Sequence, residues 1–348
     1  MCAANASETL MYREAREAPE RIEQMLQANQ AEIKDLAGFL RRKSPPFALT
    51  VARGSSDHAA AYAKYLLEAG LGLITASVFP SAVTIYGSSP RTQGALALIF
   101  SQSGTSPDLA EYTRAARAGG ALTVALVNRE DSPLAREAEL AIPLLAGEEK
   151  SVPATKSVLA MFAATAQLYA YWHGAPELIS KLEQLPEALA WAREADWSEA
   201  AGFFADQALI LARGYAYPAA LEMALKLKET AAIQAEAISS AEFRHGPLRL
   251  AGERIPVLLL APPDRPRAEA LALAQELKTQ GVPLALVAPE AEVRAQAELG
   301  LAMSRPLAPA LDPILLLQSF YPLAAQVSLA RGFDPDHPPL LHKVTRTR

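Results

Sequence analysis

The chain has 348 residues, 51% of them hydrophobic and 20% charged, with a formal net charge of −5. That length suits two ordinary domains, each with its own core, and the balance is that of a soluble globular protein. Acids and bases interleave, and no basic stripe exists to neutralise a nucleic-acid backbone, so an anionic ligand has to be held by a local site.

At the N-terminus Cys2 is the single cysteine, which excludes an internal disulfide and a Cys-rich metal site. The five histidines show no ligand-type spacing, so no metal is expected. No basic segment followed by an apolar core opens the chain, so no secretory signal is expected. The opening through Glu32 is rich in Glu and Arg, with Ile22, Met25 and Leu26 at helical spacing. It reads as an amphipathic helix packing on the first domain.

From Pro46 onward short aliphatic runs alternate with helical stretches. Strands are expected at Phe47 to Ala52, Ala95 to Phe100, Leu122 to Val127 and Leu140 to Leu145, with helices at Asp57 to Gly70 and Pro107 to Ala118. Continuous apolar strands between helices indicate a parallel sheet covered on both faces. The most membrane-like stretch, Ser157 to Trp172, carries Ser, Thr and Gln and reads as a helix buried between layers. A charged connector between Gly174 and Ser198 leads to a second round. Strands are expected at Ala208 to Ala212, Pro256 to Ala261 and Leu284 to Val287, and helices at Pro218 to Thr230 and Arg267 to Thr279. Ala52-Arg53-Gly54 recurs as Ala212-Arg213-Gly214, and Ala125-Leu126-Val127 as Ala285-Leu286-Val287, each 160 positions later. A register kept over the whole unit indicates two copies of one α/β domain. The tail from Gly332 has Pro335, Pro338 and Pro339 and no helical or strand period.

The strongest chemical signal is Ser101-Gln102-Ser103-Gly104-Thr105-Ser106, between a buried strand and a helix. Ligands of parallel sheets bind at the carboxyl ends of strands, where the next helix offers unpaired N–H groups and a positive dipole end. Helix capping needs one hydroxyl; four hydroxyls and an amide point to a phosphate. Gly54-Ser55-Ser56, after the first strand, could close the same site. Glu149 and Val152-Pro153-Ala154-Thr155-Lys156 read equally well as a loop opening the next helix or as part of the site. On the helix of the second domain, Glu222 and Lys226 are four apart, and a solvated charged face is expected for them. Glu229 ends that helix, where a buried carboxylate becomes a useful base. His245 follows in Arg244-His245-Gly246-Pro247.

Both halves resemble the sugar isomerase (SIS) domain, and the order of motifs is similar to the isomerase part of glucosamine-fructose-6-phosphate aminotransferase. The residues that carry the resemblance are Ala224-Leu225-Lys226-Leu227-Lys228-Glu229, Ala235-Glu236-Ala237, Arg244-His245-Gly246-Pro247-Leu248, the Ser101 to Ser106 loop and Lys343. The resemblance implies two tandem doubly wound, flavodoxin/Rossmann-like domains. These are residues 35–175, which bind phosphate, and 198–331, which carry acid/base residues. An N-terminal helical segment (1–34) precedes them and a C-terminal active-site tail (332–348) follows. By the same resemblance Ser55, Ser56, Ser101, Gln102, Ser103 and Ser106 hold a hexose 6-phosphate, with Glu149 and Val152 nearby. Glu229 moves a proton between C1 and C2, Lys226 orients it, His245 opens the ring from the neighbouring subunit of a homodimer, and Lys343 sits near C2.

No cofactor is implied, and neither nucleic acid nor membrane is an expected partner; the expected location is cytoplasmic. Family aminotransferases begin with Met-Cys and a long glutamine-hydrolysing domain. Here the first SIS domain follows Met1-Cys2 too early for one, so Cys2 is expected to be coincidental. Glucosamine 6-phosphate deamination is then the expected activity, with fructosamine-6-phosphate deglycase, sugar-phosphate isomerase and non-catalytic sugar-phosphate sensor as alternatives.

Overall fold

A computed structural model describes residues 5–344; Cys2 lies outside the described residues. The chain forms two compact units. One comprises Glu20–Glu149 and Lys156–Glu183 with the chain from His342; the other comprises the chain up to Pro19, Lys150–Thr155 and Gln184–Leu341.

In the first-repeat unit five strands form one parallel sheet: β1 (Ala48–Val51), β2 (Thr75–Ser77), β3 (Leu96–Ser101), β4 (Leu122–Val127) and β5 (Leu140–Pro143), in the order β2-β1-β3-β4-β5. Thr50 pairs with Leu98 and Leu98 with Val124, so β3 sits at the centre. Every residue of β1 and β3 is buried, as strands covered on both faces require. Ala97 and Ile99 pack on one face with Leu109 and Tyr112 of helix Pro107–Ala118. Leu96, Leu98 and Phe100, of opposite parity, serve the other face. Helix Lys156–His173 is buried along its length except at His173, and it packs on helix Ser55–Leu71. There the Tyr62 and Phe162 rings stack at 4.5 Å.

The second-repeat unit has β6 (Gln207–Ala212), β7 (Gln234–Ser239), β8 (Val257–Leu260), β9 (Leu284–Ala288) and β10 (Leu299–Ala302), again all parallel. Its order, β7-β6-β8-β9-β10, matches that of the first sheet strand for strand. The repeat inferred from the 160-residue offset is thus two copies of one doubly wound fold. The edge strands β2, β7 and β10 are absent from the sequence-based set. They are short or alternate Gln, Glu and Ser with small residues, and so lack a continuous apolar run.

The opening segment differs from the single helix expected on the first domain. It forms three helices, Leu10–Arg16, Ala18–Ala28 and Gln30–Lys43, and the first belongs to the second-repeat unit. Buried Glu14 accepts N–H groups of Lys150 (2.5 Å) and Ser151 (3.2 Å), and Ala15 O accepts from Gln318 Nε2 (2.9 Å). Asp336, in the tail, accepts the N–H groups of Leu10 and Met11 at 2.7 Å each.

Helix Asp312–Ala330, not foreseen from periodicity, is the core helix of this unit and packs on Tyr217–Ala231. It, rather than Ser157 to Trp172, has the length and apolarity to cross a membrane, but 83% of its apolar window is buried inside the protein. A helix apolar on all sides has no stripe to reveal it.

At its start Asp312 is buried, accepting from Leu307 N–H (2.8 Å) and Ala308 N–H (3.3 Å) through Oδ1. Its Oδ2 is buried without a hydrogen-bond partner among the described residues, and burial pushes the carboxyl up to about 7. The folded state therefore holds this proton more tightly than the unfolded chain, whose carboxyl titrates near 3.8. Stability is greatest below that value, falls as pH rises toward 7, and levels off above. The expected loss is on the order of 4 kcal/mol at most. Asp312→Asn should flatten the fall, measured as urea midpoints between pH 4 and 7; an unchanged slope would assign it to other groups.

Candidate functional site

In the first-repeat unit the chain leaves β1 and β3, adjacent strands, toward opposite faces, so a crevice opens outside their carboxyl ends. That is the switch point where doubly wound sheets take ligands. The loop from Ser101 to Ser106 runs along it. Ser101 is buried, and its Oγ accepts the Gly104 N–H at 3.0 Å. Ser103 Oγ accepts from both the N–H (3.3 Å) and the hydroxyl (3.0 Å) of Thr105. Gly104 has φ +62°, and a Cβ there would lie 2.1 Å from Ser132 Oγ. Ser106 occupies the N-cap of helix Pro107–Ala118, but its side chain makes no capping hydrogen bond. Capping therefore does not explain it. Across the crevice Gly54 (φ +55°) precedes helix Ser55–Leu71, whose first residues Ser55 and Ser56 are half-buried. Two helix N-termini with hydroxyl residues thus follow adjacent strands of the sheet, an arrangement able to bind an anion. Arg53 joins the two loops: its Nε and Nη2 donate to Oδ2 of buried Asp108 at 3.0 and 2.9 Å.

At the carboxyl side of β3, β4 and β5 the same unit holds a cavity of about 650 Å³. Gln102, Arg129, Glu148, Glu149, Arg21 and Gln24 are among its lining residues. The Glu149 side chain is fully buried. It accepts from Ser157 N–H (3.1 Å), Ser157 Oγ (2.7 Å) and Lys343 Nζ (2.8 Å). Glu149 thus secures the start of helix Lys156–His173, as one of its two sequence readings expects, and it also fixes Lys343. Val152 lies in the other unit, where its N–H donates to Asp336 O at 2.9 Å. Arg21, Glu14 and Asp336 escaped sequence reasoning. No motif marks them, and Glu14 and Asp336 bond groups 136 to 326 positions away.

The second-repeat unit holds the remaining candidates. On helix Tyr217–Ala231, Glu222 and Lys226 are fully buried, which overturns the solvated pair expected from their spacing. Helix Asp312–Ala330 and strands β6 and β7 cover that face, so the i,i+4 pair points inward. Lys226 Nζ is 3.5 Å from Glu222 Oε1 and hydrogen-bonds Glu229 Oε2, while Tyr321 OH donates to Glu222 Oε1 at 3.3 Å. Buried charges persist only when paired in this way. Glu229, in the last turn, keeps 23% of its side chain exposed. His245 is exposed in the turn after Ser240–Phe243, and among the described residues no hydrogen bond or ion pair joins it to Glu229.

The chain belongs to the SIS domain family, which matches residues 46–171 and 204–306. A glutamine–fructose-6-phosphate aminotransferase [isomerizing] of Methanothermobacter thermautotrophicus is 34% identical over 304 residues, 84% of this chain and 50% of that protein. The Zymomonas mobilis aminotransferase of the same name is 30% identical over 96% of this chain and 58% of its own length. The chain spans about half the length of the curated relatives it matches. Among solved structures, a Silicibacter pomeroyi protein provisionally described as a phosphosugar isomerase is 38% identical, with a TM-score of 0.88 over 94% of this chain and 100% of that one. The C-terminal domain of glucosamine-fructose-6-phosphate aminotransferase from Francisella tularensis is 26% identical, with a TM-score of 0.80 over 95% and 98%.

Two substitutions probe the geometry. Gly104→Ala has to displace Ser132 and strain a left-handed residue, which should cost roughly 1–3 kcal/mol and weaken binding of inorganic phosphate. Wild-type stability and binding in this variant would show that the loop is not built as described. Lys226→Met removes the cation that faces buried Glu222 and should cost on the order of 3–5 kcal/mol in denaturant unfolding. Adding Glu222→Leu should recover much of that loss.

Proposed function

We propose that the chain converts glucosamine 6-phosphate and water to fructose 6-phosphate and ammonia. The observation that carries this reading is Glu229, a partly exposed carboxylate held by a buried lysine in the family's acid/base motif. A regulatory binding module needs only the hydroxyl loop and gains nothing from two buried charges on a helix. The names of the curated relatives join fructose 6-phosphate, amino transfer and isomerisation, and deamination is the same chemistry run toward the ketose.

In this scheme the hydroxyl loop and Ser55–Ser56 hold the phosphate, and the phosphate supplies binding energy for the reacting end. His245, contributed by the neighbouring subunit of a homodimer, assists opening of the sugar ring. Glu229 removes the C2 proton of the open-chain aldehyde, giving an enolamine, and returns it to C1. The product is the C2 imine. Water adds to C2, the C–N bond breaks, and ammonia leaves with fructose 6-phosphate. Lys226 keeps the Glu229 carboxylate oriented, and Lys343, fixed by Glu149, is the cation assigned to C2.

The cavity of about 650 Å³ beside Gln102 and Glu149 favours one second reading. It falls in the range that takes a ligand larger than a single hexose, as a fructosamine 6-phosphate with its amine substituent would be.

The test is release of ammonia from glucosamine 6-phosphate coupled to detection of fructose 6-phosphate. Equal amounts of both are expected from wild type. Glu229→Gln should lower turnover roughly 10²- to 10⁴-fold, the contribution of a positioned acid/base, with sugar-phosphate affinity nearly unchanged. Retained turnover in that variant removes Glu229 from the proton transfer. Amine release from a fructosamine 6-phosphate, with none from glucosamine 6-phosphate, selects the deglycase.

A further inference from the structure

A phosphate monoester brings about −1.5 to −2 charges to its site at neutral pH. The cradle described above offers it hydroxyls, an amide and backbone N–H groups, all neutral donors. Within residues 52–58 and 100–108 the only Lys or Arg is Arg53. It stands two residues after β1 and is bound to the first turn of the helix that follows the hydroxyl loop, which sets it between the two loops.

The geometry of that contact is one-sided. Nε and Nη2 both donate to a single oxygen, Asp108 Oδ2, while Asp108 Oδ1 accepts the Leu109 N–H at 2.9 Å. The guanidinium is planar with five donors, so the Nη1 edge, with the second N–H of Nη2, is turned away from Asp108. The side chain is 46% exposed although Asp108 is fully buried, and Arg53 makes no other hydrogen bond among the described residues. Such an edge matches two phosphate oxygens in a bidentate pair.

The second repeat supplies an internal contrast. Arg213 holds the equivalent place after β6 and pairs with Glu269 in the first turn of helix Arg267–Thr279. Its crevice, however, is lined by Pro262, Pro266 and Asp264 instead of hydroxyls. Asp264 Oδ2 comes within 3.1 Å of where a Cβ on Gly214 would stand. The arginine clamp is therefore common to both repeats, and only the first has an anion cradle beside it.

We propose that Arg53 is the charged phosphate ligand of this protein, held in place by Asp108 and presenting its Nη edge to the anion. Asp108 is then a positioning residue. The inference rests on the reading that the hydroxyl loop holds a phosphate, and it assigns the preference for a doubly charged anion to Arg53. Asp57, in electrostatic reach of Arg53, works against that preference.

The experiment is calorimetric titration of the full chain with inorganic phosphate. Arg53→Gln should bind roughly 10- to 100-fold more weakly, the range of one charge-assisted contact, while Arg213→Gln binds like wild type. Arg53→Lys keeps the charge but loses the fork, so it should remain several-fold weaker than wild type at an unchanged melting temperature. That variant decides the matter if Arg53→Gln is poorly folded. Asp57→Asn should bind at least as tightly as wild type. Wild-type affinity in Arg53→Gln or Arg53→Lys, with Ser103→Ala weakened, overturns the proposal and leaves the hydroxyl loop standing. Failure of wild type to bind phosphate overturns both.

Discussion

Parallel pairing of β1 with β3 is the constraint on which the candidate site depends. Parallel neighbours cannot be joined by a tight turn, so each connection crosses a face of the sheet as a helix. Because the order is β2-β1-β3-β4-β5, the helices after β1 and β3 leave on opposite faces. Their N-termini diverge from one edge, leaving a gap no backbone fills. The hydroxyl loop, Ser55–Ser56 and the Arg53–Asp108 pair all border that gap. The second sheet has the same order and the same gap, yet Asp264 and two prolines border it. Topology supplies the place, and a handful of side chains decide whether an anion can use it.

What could be read from the sequence tracks how local the determining interaction is. β3, β4 and β9 are continuous aliphatic runs, and helix Pro107–Ala118 opens with proline, so each is close to its expected bounds. The hydroxyl loop was legible because all its donors fall within six residues. The edge strands were not, since β7 alternates exposed Gln and Glu with alanine and is a strand only because β6 pairs with it.

Electrostatic character was the least legible feature. Glu222 and Lys226 have the spacing of an ordinary solvated helix pair, and only the packing of helix Asp312–Ala330 turns that face inward. Glu149 illustrates the same limit. Its role in starting a helix was readable nearby, but its contact with Lys343 spans 194 positions. In both places burial converts an unremarkable charge into one that must be matched, so these positions tolerate little change.

Asp336 caps helix Leu10–Arg16 from 326 positions away. A ribosome makes that helix well before its cap, with most of the first-repeat unit emerging between. At about 5–20 residues per second, the 326 positions between them take roughly 16 to 65 s to make, and for that time the helix is without this cap. Most of the first-repeat unit can bury its core in that interval, whereas the second-repeat unit can be completed only once Asp336 has been made. The order of synthesis and the order of assembly therefore differ, and helix Leu10–Arg16 gains its cap only after the segments that follow it have been made.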